Sequence, residues 1–183
     1  MINKELANLN INVITKIGIK KSTVNQLYKL QIRKVGDLDK VEQKDLTPIL
    51  ESDKSITYAQ FISVLQLDLV GFVNEVEKTI TADPTYEMAQ LHMQNHTYQE
   101  IARVSAISKE KAVQSIDKFL QSLYPLVDAL GEKLIKDKSF IELTEVEEVI
   151  PSKEFCNILI LTFKRHTTKW TYNHKLKIIT KNV

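Results

Sequence analysis

Two helix-start signals, eleven residues apart within residues 96–119, constrain the fold of this chain more than any other feature. Thr97 is followed three residues later by Glu100, so the hydroxyl and the carboxylate can satisfy the free N–H groups of a helix start reciprocally. Ser108 can cap a second helix. Beyond it, apolar residues recur at helical spacing, namely Ala112, Val113, Ile116, Phe119 and Leu120. The stretch therefore predicts a helix from about Tyr98, a turn, and a second helix with one apolar side.

The sequence words TYQEIA, AIS and KEKAVQSI carry a resemblance over about two dozen residues. The stretch resembles the helix-turn-helix in the promoter-reading domain of bacterial sigma factors and in many small repressors. Ala106 stands where that family usually has Gly, which predicts a turn without a left-handed residue or a slightly strained one. The alternative is an ordinary helical hairpin within a core.

The resemblance implies that the helix after Ser108 enters the major groove of double-stranded DNA. Phosphate and base contacts would then come from Ser108 at its start and from its polar side, namely Lys109, Lys111, Gln114 and Lys118. The Gln114 amide is the expected base reader, because it can pair bidentately with adenine. Thr97 and Tyr98 would touch the DNA backbone at the start of the first helix.

Residues 14–49 form the second informative stretch, in which short helices and tight turns are predicted. Ser22 can cap a helix that carries Val24, Leu27 and Leu30 on one side. A further helical turn is expected at Gly36-Asp37-Leu38. The words from Ser22 to Leu27, Val35 to Leu38 and Asp45-Leu46 resemble the carboxy-terminal domain of the bacterial RNA polymerase alpha subunit, a helix-hairpin-helix domain, over about 45 residues.

That resemblance implies contact with the DNA minor groove or with transcription proteins such as RNA polymerase. Asn25 matches the family asparagine, and the family arginine falls on or beside Ser22, next to Lys20 and Lys21. The family Gly-Lys-Lys-Ser hairpin becomes residues 52–55, which include Lys54. Without the glycine, and with Asp53 in the hairpin, phosphate binding is disfavoured. Protein contact by this segment is therefore the alternative to DNA contact.

The whole chain is predicted to be mainly α with a small C-terminal antiparallel β-sheet, an α+β fold. Only four Gly and four Pro in 183 residues favour helices over a turn-rich sheet protein. Pro84 suits the first position of a helix. From Ser139, three segments at 139–150, 154–166 and 169–180 are rich in Ile, Val, Thr and aromatic residues and show alternation such as Trp170 and Tyr172. They predict two to four strands, with Cys156 inside the second segment. The predicted divisions are a helix-hairpin-helix domain at 1–56, connector helices broken near Gly71 at 57–83, a helix-turn-helix domain at 84–136 and a β-rich wing or dimerisation domain at 137–183.

Charge and composition limit the partners and the cellular compartment that are expected for this chain. The net charge of +2 is uneven, with +4 over residues 1–50, −6 over 51–100, and +2 each over 101–138 and 139–183. Basic ends around an acidic middle suit an anionic partner. A single cysteine excludes an internal disulfide framework. With neither a secretory leader nor a membrane span expected, the predicted location is cytoplasmic and nucleoid-associated.

Three classes of function compete. A bacterial or phage DNA-binding regulator, which could act as a homodimer, is favoured over a non-enzymatic adaptor that binds RNA polymerase or another regulator through residues 1–56. An enzyme is the least favoured, because its only hint is an acidic run at Glu142, Glu145, Glu147 and Glu148. His92 and His96 have metal-ligand spacing but lack a second pair of ligands, so neither a metal nor a cofactor is expected.

Overall fold

The computed structural model describes residues 1–182 and divides the chain into two compact units. The first unit is Met1–Ile80, and the second comprises the described residues from Thr81 onward. The predicted connector at 57–83 is therefore not separate, since most of it packs within the first unit. The predicted boundary at 136/137 is also absent, because the C-terminal elements pack against the helices at 84–121.

The first unit is entirely helical in its regular elements. It contains two 3-10 helices, Ile11–Ile17 and Val35–Lys40, and four α-helices: α1 Lys21–Lys29, α2 Gln43–Asp53, α3 Tyr58–Gln66 and α4 Leu69–Ile80. The first 3-10 helix packs on α1 and α4, and α2 packs on α1 and α3. The predicted break near Gly71 lies at Leu67-Asp68, because the Asp68 carboxylate accepts from the Gly71 N–H at 2.8 Å and begins α4 there.

The start of α1 differs from the sequence prediction. Ser22 does not cap it, because the helix already begins at Lys21, and Lys20 occupies the cap position without a side-chain capping hydrogen bond. The Asp53 carboxylate instead reaches across from the end of α2 and accepts from the Lys20 N–H at 2.8 Å and from the Thr23 hydroxyl. Of the predicted apolar side, Leu30 is exposed. The start of α1 is thus held by a residue that lies 33 positions after Lys20, and not by Ser22.

The second unit contains six helices and a small sheet within the described residues. Its elements are α5 Pro84–Met93, α6 Tyr98–Val104, α7 Lys109–Gln121, α8 Tyr124–Leu134, β1 Ile141–Glu142, α9 Leu143–Val149, α10 Lys153–Arg165, β2 Trp170–Asn173 and β3 Ile178–Lys181. Helices α5, α6 and α7 pack on one another. As predicted, Pro84 is the first residue of α5, which Asp83 caps by accepting from the Thr85 N–H at 2.8 Å.

The predicted antiparallel sheet is present and has three strands in the order β1-β3-β2. Trp170 of β2 pairs with Lys181, and Ile141 of β1 pairs with Ile179 of β3. Trp170 is buried, and its indole N–H donates to Asp128 of α8 at 2.8 Å. This contact fixes the hairpin onto α8. The described residues have the mainly helical α+β fold that the sequence predicted.

The predicted strand through residues 154–166 is wrong, because this segment forms α10, the central helix of the second unit. It packs against α5 and α7 as well as against α8, α9 and β2. The buried residues therefore surround the helix instead of forming one stripe: Phe155, Cys156, Ile158, Leu159, Ile160, Leu161, Thr162 and Phe163. A short apolar run has no periodicity that separates a buried strand from a buried helix. Burial of each large side chain contributes about 1.5–3 kcal/mol, which outweighs β-propensity.

The cap signals for α9 and α10 are present in the sequence. The Ser152 hydroxyl accepts from the Phe155 N–H at 3.2 Å at the start of α10. Glu142 and Glu145 form the capping box of α9. Most of the strand predicted from Ser139 to Ile150 is therefore helical, and β1 is only two residues long.

Candidate nucleic-acid interface

The two predicted helix starts at Thr97 and Ser108 are those of α6 and α7. The Glu100 carboxylate accepts from the Thr97 N–H at 2.7 Å, and the Thr97 hydroxyl accepts from the Glu100 N–H at 3.3 Å. The Ser108 hydroxyl accepts from the Lys111 N–H at 3.1 Å. Between the helices Ala106 has φ +53°, so the turn is the strained form that the sequence allowed.

Helix α7 has one buried side and one exposed side. Ala112, Ile116, Phe119 and Leu120 are buried, and Val113 is half-buried. Lys111, Gln114 and Lys118 are exposed, and their spacing of three and four residues places them on one face. Lys109 is also exposed but lies about 200° around the helix from Lys111. Three of the four predicted contacts on α7 therefore share a surface, which we call the α7 outer face (Lys111, Gln114 and Lys118), and Lys109 stands apart.

The two residues predicted to touch DNA at the start of α6 already have partners. Thr97 donates its hydroxyl hydrogen to Glu100 at 2.9 Å, and the Thr97 hydrogen bonds lower the pKa of Glu100. A phosphate that approaches Thr97 would therefore meet a carboxylate. Tyr98 is half-buried, its ring stacks on His92 at 4.7 Å between centroids, and its hydroxyl accepts from Arg165 at 2.9 Å.

Arg165 was missed by sequence reasoning. It is the last residue of α10 and reaches Tyr98, which lies 67 positions earlier in the chain. Its Nη1 lies 3.8 Å from the Asp117 carboxylate of α7. The sequence carries no signal for this approach, since it depends on how α10 packs against α7.

A second pair of helices joined by a short turn, α9 and α10, lacks an outer face of this kind. From Phe155 to Phe163 every residue of α10 is buried except Asn157, which is half-buried. Such a helix cannot enter a groove without removing the core of the unit. Of the second helices of the two pairs, α7 and α10, α7 is therefore the one that presents exposed polar side chains along its length.

The first unit brings its five predicted contact residues to one end of α1. Lys21, Ser22 and Asn25 are exposed on its first turns, and Lys20 precedes it. Lys54 is exposed at the end of α2, next to the buried Asp53 that bonds to the start of α1. The Lys20 Nζ lies 3.8 Å from the Asp53 Oδ1 atom. Burial raises the pKa of Asp53, but hydrogen bonds from Ser55, Thr23 and Lys20 outweigh it and lower the pKa overall. A buried carboxylate thus occupies the position that an anion would take at this helix start.

The other residues considered for metal binding or catalysis do not come together in a site. His96 lies beyond the end of α5, so it shares no helical face with His92. In residues 1–182 there is no group of three or more His, Cys, Asp or Glu side chains that could hold a metal ion. Glu145 pairs with Lys138 as well as capping α9. Cys156 belongs to the buried α10, and burial raises its pKa to about 11.

Comparison with known proteins gives no matching family model, no similar curated protein and no similar solved structure. Among the helices that the structure describes, none is both long and apolar enough to cross a membrane.

Proposed function

We propose that this chain is a sequence-specific DNA-binding transcriptional regulator that inserts α7 into the major groove as the second helix of a helix-turn-helix. The observation that carries the proposal is the α7 outer face, which is exposed along the helix while the opposite side is buried. The strained turn at Ala106 and the two capped helix starts also support it.

The residues of this face differ in role. Lys111 and Lys118 neutralise phosphates and set the register of the protein on the duplex, since ammonium groups are well suited to positioning. Gln114 lies between them and reads an adenine edge through its amide, which is worth about 1–3 kcal/mol of discrimination. Lys109 contacts a phosphate outside the groove. Thr97 and Tyr98 lie at the edge of the site.

The test begins with selection of bound duplexes from a random DNA pool by the full chain. Affinity for the enriched duplex is then measured over a salt series. Lys111→Ala with Lys118→Ala should reduce the slope of log affinity against log salt by about two. Lys136→Ala with Lys153→Ala removes the same charge from exposed positions elsewhere in the second unit and should leave the slope unchanged.

Gln114→Ala should keep the salt slope and lose the preference at one base pair. Failure of the wild-type chain to enrich any motif would refute sequence-specific binding. Equal losses from both lysine pairs would show that binding follows net charge and does not use α7.

Asp53 favours a second candidate function. In this function the chain is a non-enzymatic adaptor that contacts RNA polymerase or another regulator through the first unit. This carboxylate accepts from the Lys20 N–H at the start of α1 and lies 3.8 Å from the Lys20 Nζ atom, which disfavours a phosphate there. The test is binding of purified bacterial RNA polymerase. Lys21→Glu with Asn25→Ala should abolish it, and Lys111→Ala with Lys118→Ala should not.

A further inference from the structure

We propose that Arg165, at the end of α10, is a phosphate-binding residue of the DNA interface, outside the helix pair that reads the bases. The inference rests on the proposed function and adds a residue that the two-helix motif does not contain. Arg165 belongs to a cluster with Tyr98 of α6, His92 of α5 and Asp117 of α7, so one guanidinium contacts all three helices of the α5–α7 group.

One side of the guanidinium is fixed. Its Nη2 donates to the Tyr98 hydroxyl at 2.9 Å and lies 3.2 Å from His92 Nε2. Burial and the charge of Arg165 lower the pKa of His92, which favours a neutral ring whose Nε2 can accept a hydrogen bond. Because these partners hold the side chain in place, binding through its remaining donors loses little conformational freedom.

The other side of the guanidinium is available. The Nη1 stands 3.8 Å from the Asp117 Oδ1 atom, which is too long for a hydrogen bond, and the Arg165 side chain is 41% exposed. A guanidinium has five N–H donors, so two contacts through Nη2 do not use them all.

The position of Arg165 suits contact with the DNA backbone at the edge of the major groove. Asp117 lies three residues after Gln114, so it borders the α7 outer face, and Arg165 stands beside it. When the outer face enters the major groove, a DNA backbone passes along this border. Asp117 alone would repel it. Arg165 offsets that charge, and its Nη1 group can donate a charge-assisted hydrogen bond to a phosphate oxygen.

The experiment measures affinity for the enriched duplex over a salt series with the full chain. Arg165→Gln should bind on the order of tenfold more weakly, because a charge-assisted hydrogen bond is lost, and its salt slope should be smaller by about one. The matched control is Lys153→Gln, which removes one charge from the exposed first residue of the same helix and should change neither value.

Two further variants separate phosphate contact from other roles. In an Asp117→Asn background, Arg165→Gln should still reduce the slope; no effect there would mean that Arg165 only offsets Asp117 and would overturn the inference. Arg165→Lys loses the Nη2 contacts to Tyr98 and His92 but keeps the charge, and because the slope follows charge it should stay at the wild-type value. Loss of slope in Arg165→Lys with folding intact would indicate a purely structural role.

The two proposals fail differently. If wild-type protein binds the duplex with a preference that depends on Gln114, while Arg165→Gln matches Lys153→Gln, the inference about Arg165 is wrong and the proposed function stands. If the wild-type chain binds no duplex at any salt concentration, both are wrong.

Discussion

Ala106 has a strained backbone in the turn between α6 and α7. It adopts φ +53°, a left-handed conformation that is unfavourable for a residue with a Cβ atom. Ala106→Gly should therefore raise the free energy of unfolding by about 0.5–1 kcal/mol, since relief of the strain exceeds the added flexibility of glycine. Denaturant unfolding measures this change.

The matched control for that substitution is Ala102→Gly in the preceding helix. Ala102 is buried within α6, so glycine there should lower the free energy of unfolding by about 1 kcal/mol or more. Destabilisation by both glycines would contradict the assignment of strain to Ala106.

Asp53 makes the first unit sensitive to acid. Its folded-state pKa is lowered, so its ionised form contributes stability above the unfolded-state pKa of about 4, and that stability is lost as the pH falls through the folded-state pKa. Asp53→Asn should lower the free energy of unfolding by about 1–3 kcal/mol at neutral pH, because acceptors for Lys20 and Thr23 are weakened. It should also flatten the acid limb, which is the fall of the free energy of unfolding at low pH.

Urea unfolding at pH values from 2 to about 7 tests this prediction. Asp45→Asn, at an exposed position in the first turn of the same helix, is the control and should change the acid limb little. An acid limb that is unchanged in Asp53→Asn would exclude Asp53 as its source.

At the scale of elements, the packing of β2 on α8 depends on the absence of one side chain. A Cβ atom at Gly131 would lie 2.5 Å from Cζ2 and 2.6 Å from Cη2 of Trp170. Gly131→Ala should therefore lower the free energy of unfolding by about 1–3 kcal/mol, although alanine is the better helix former. Trp170 cannot move aside freely, because its indole N–H bonds to Asp128.

A double-mutant cycle tests the cause. Trp170→Phe removes the two ring atoms that a Cβ at Gly131 would meet, so the double variant should be more stable than the sum of the two single effects predicts. Additive effects would show that the cost of Gly131→Ala arises elsewhere.

At the scale of the whole molecule, the distribution of basic groups over two units allows the roles of the units to be separated. Under the DNA-binding proposal, Lys20→Gln, Lys21→Gln and Lys54→Gln in the full chain should leave the salt slope for the enriched duplex unchanged. The reason is that Asp53 keeps phosphate from the start of α1. A slope that falls by one or more would place the first unit in contact with DNA.

The sequence by itself determined the features that depend on neighbours in the chain. Thr97, Glu100 and Ser108 fixed the starts of α6 and α7, and Pro84 fixed that of α5, because caps act over three or four residues. The apolar side of α7 followed from helical periodicity. Low Gly and Pro content indicated the mainly helical fold, and the alternation in the C-terminal segment indicated its hairpin.

The tertiary structure alone decided the features that depend on long-range packing. A buried run such as that of α10 can be helix or strand, and contacts with both sets of neighbours selected the helix. Asp53 binds the start of α1 at Lys20, 33 positions earlier in the chain, and Arg165 contacts Tyr98, 67 positions earlier. Local propensity carries no information about such approaches, because they exist only once the core has formed.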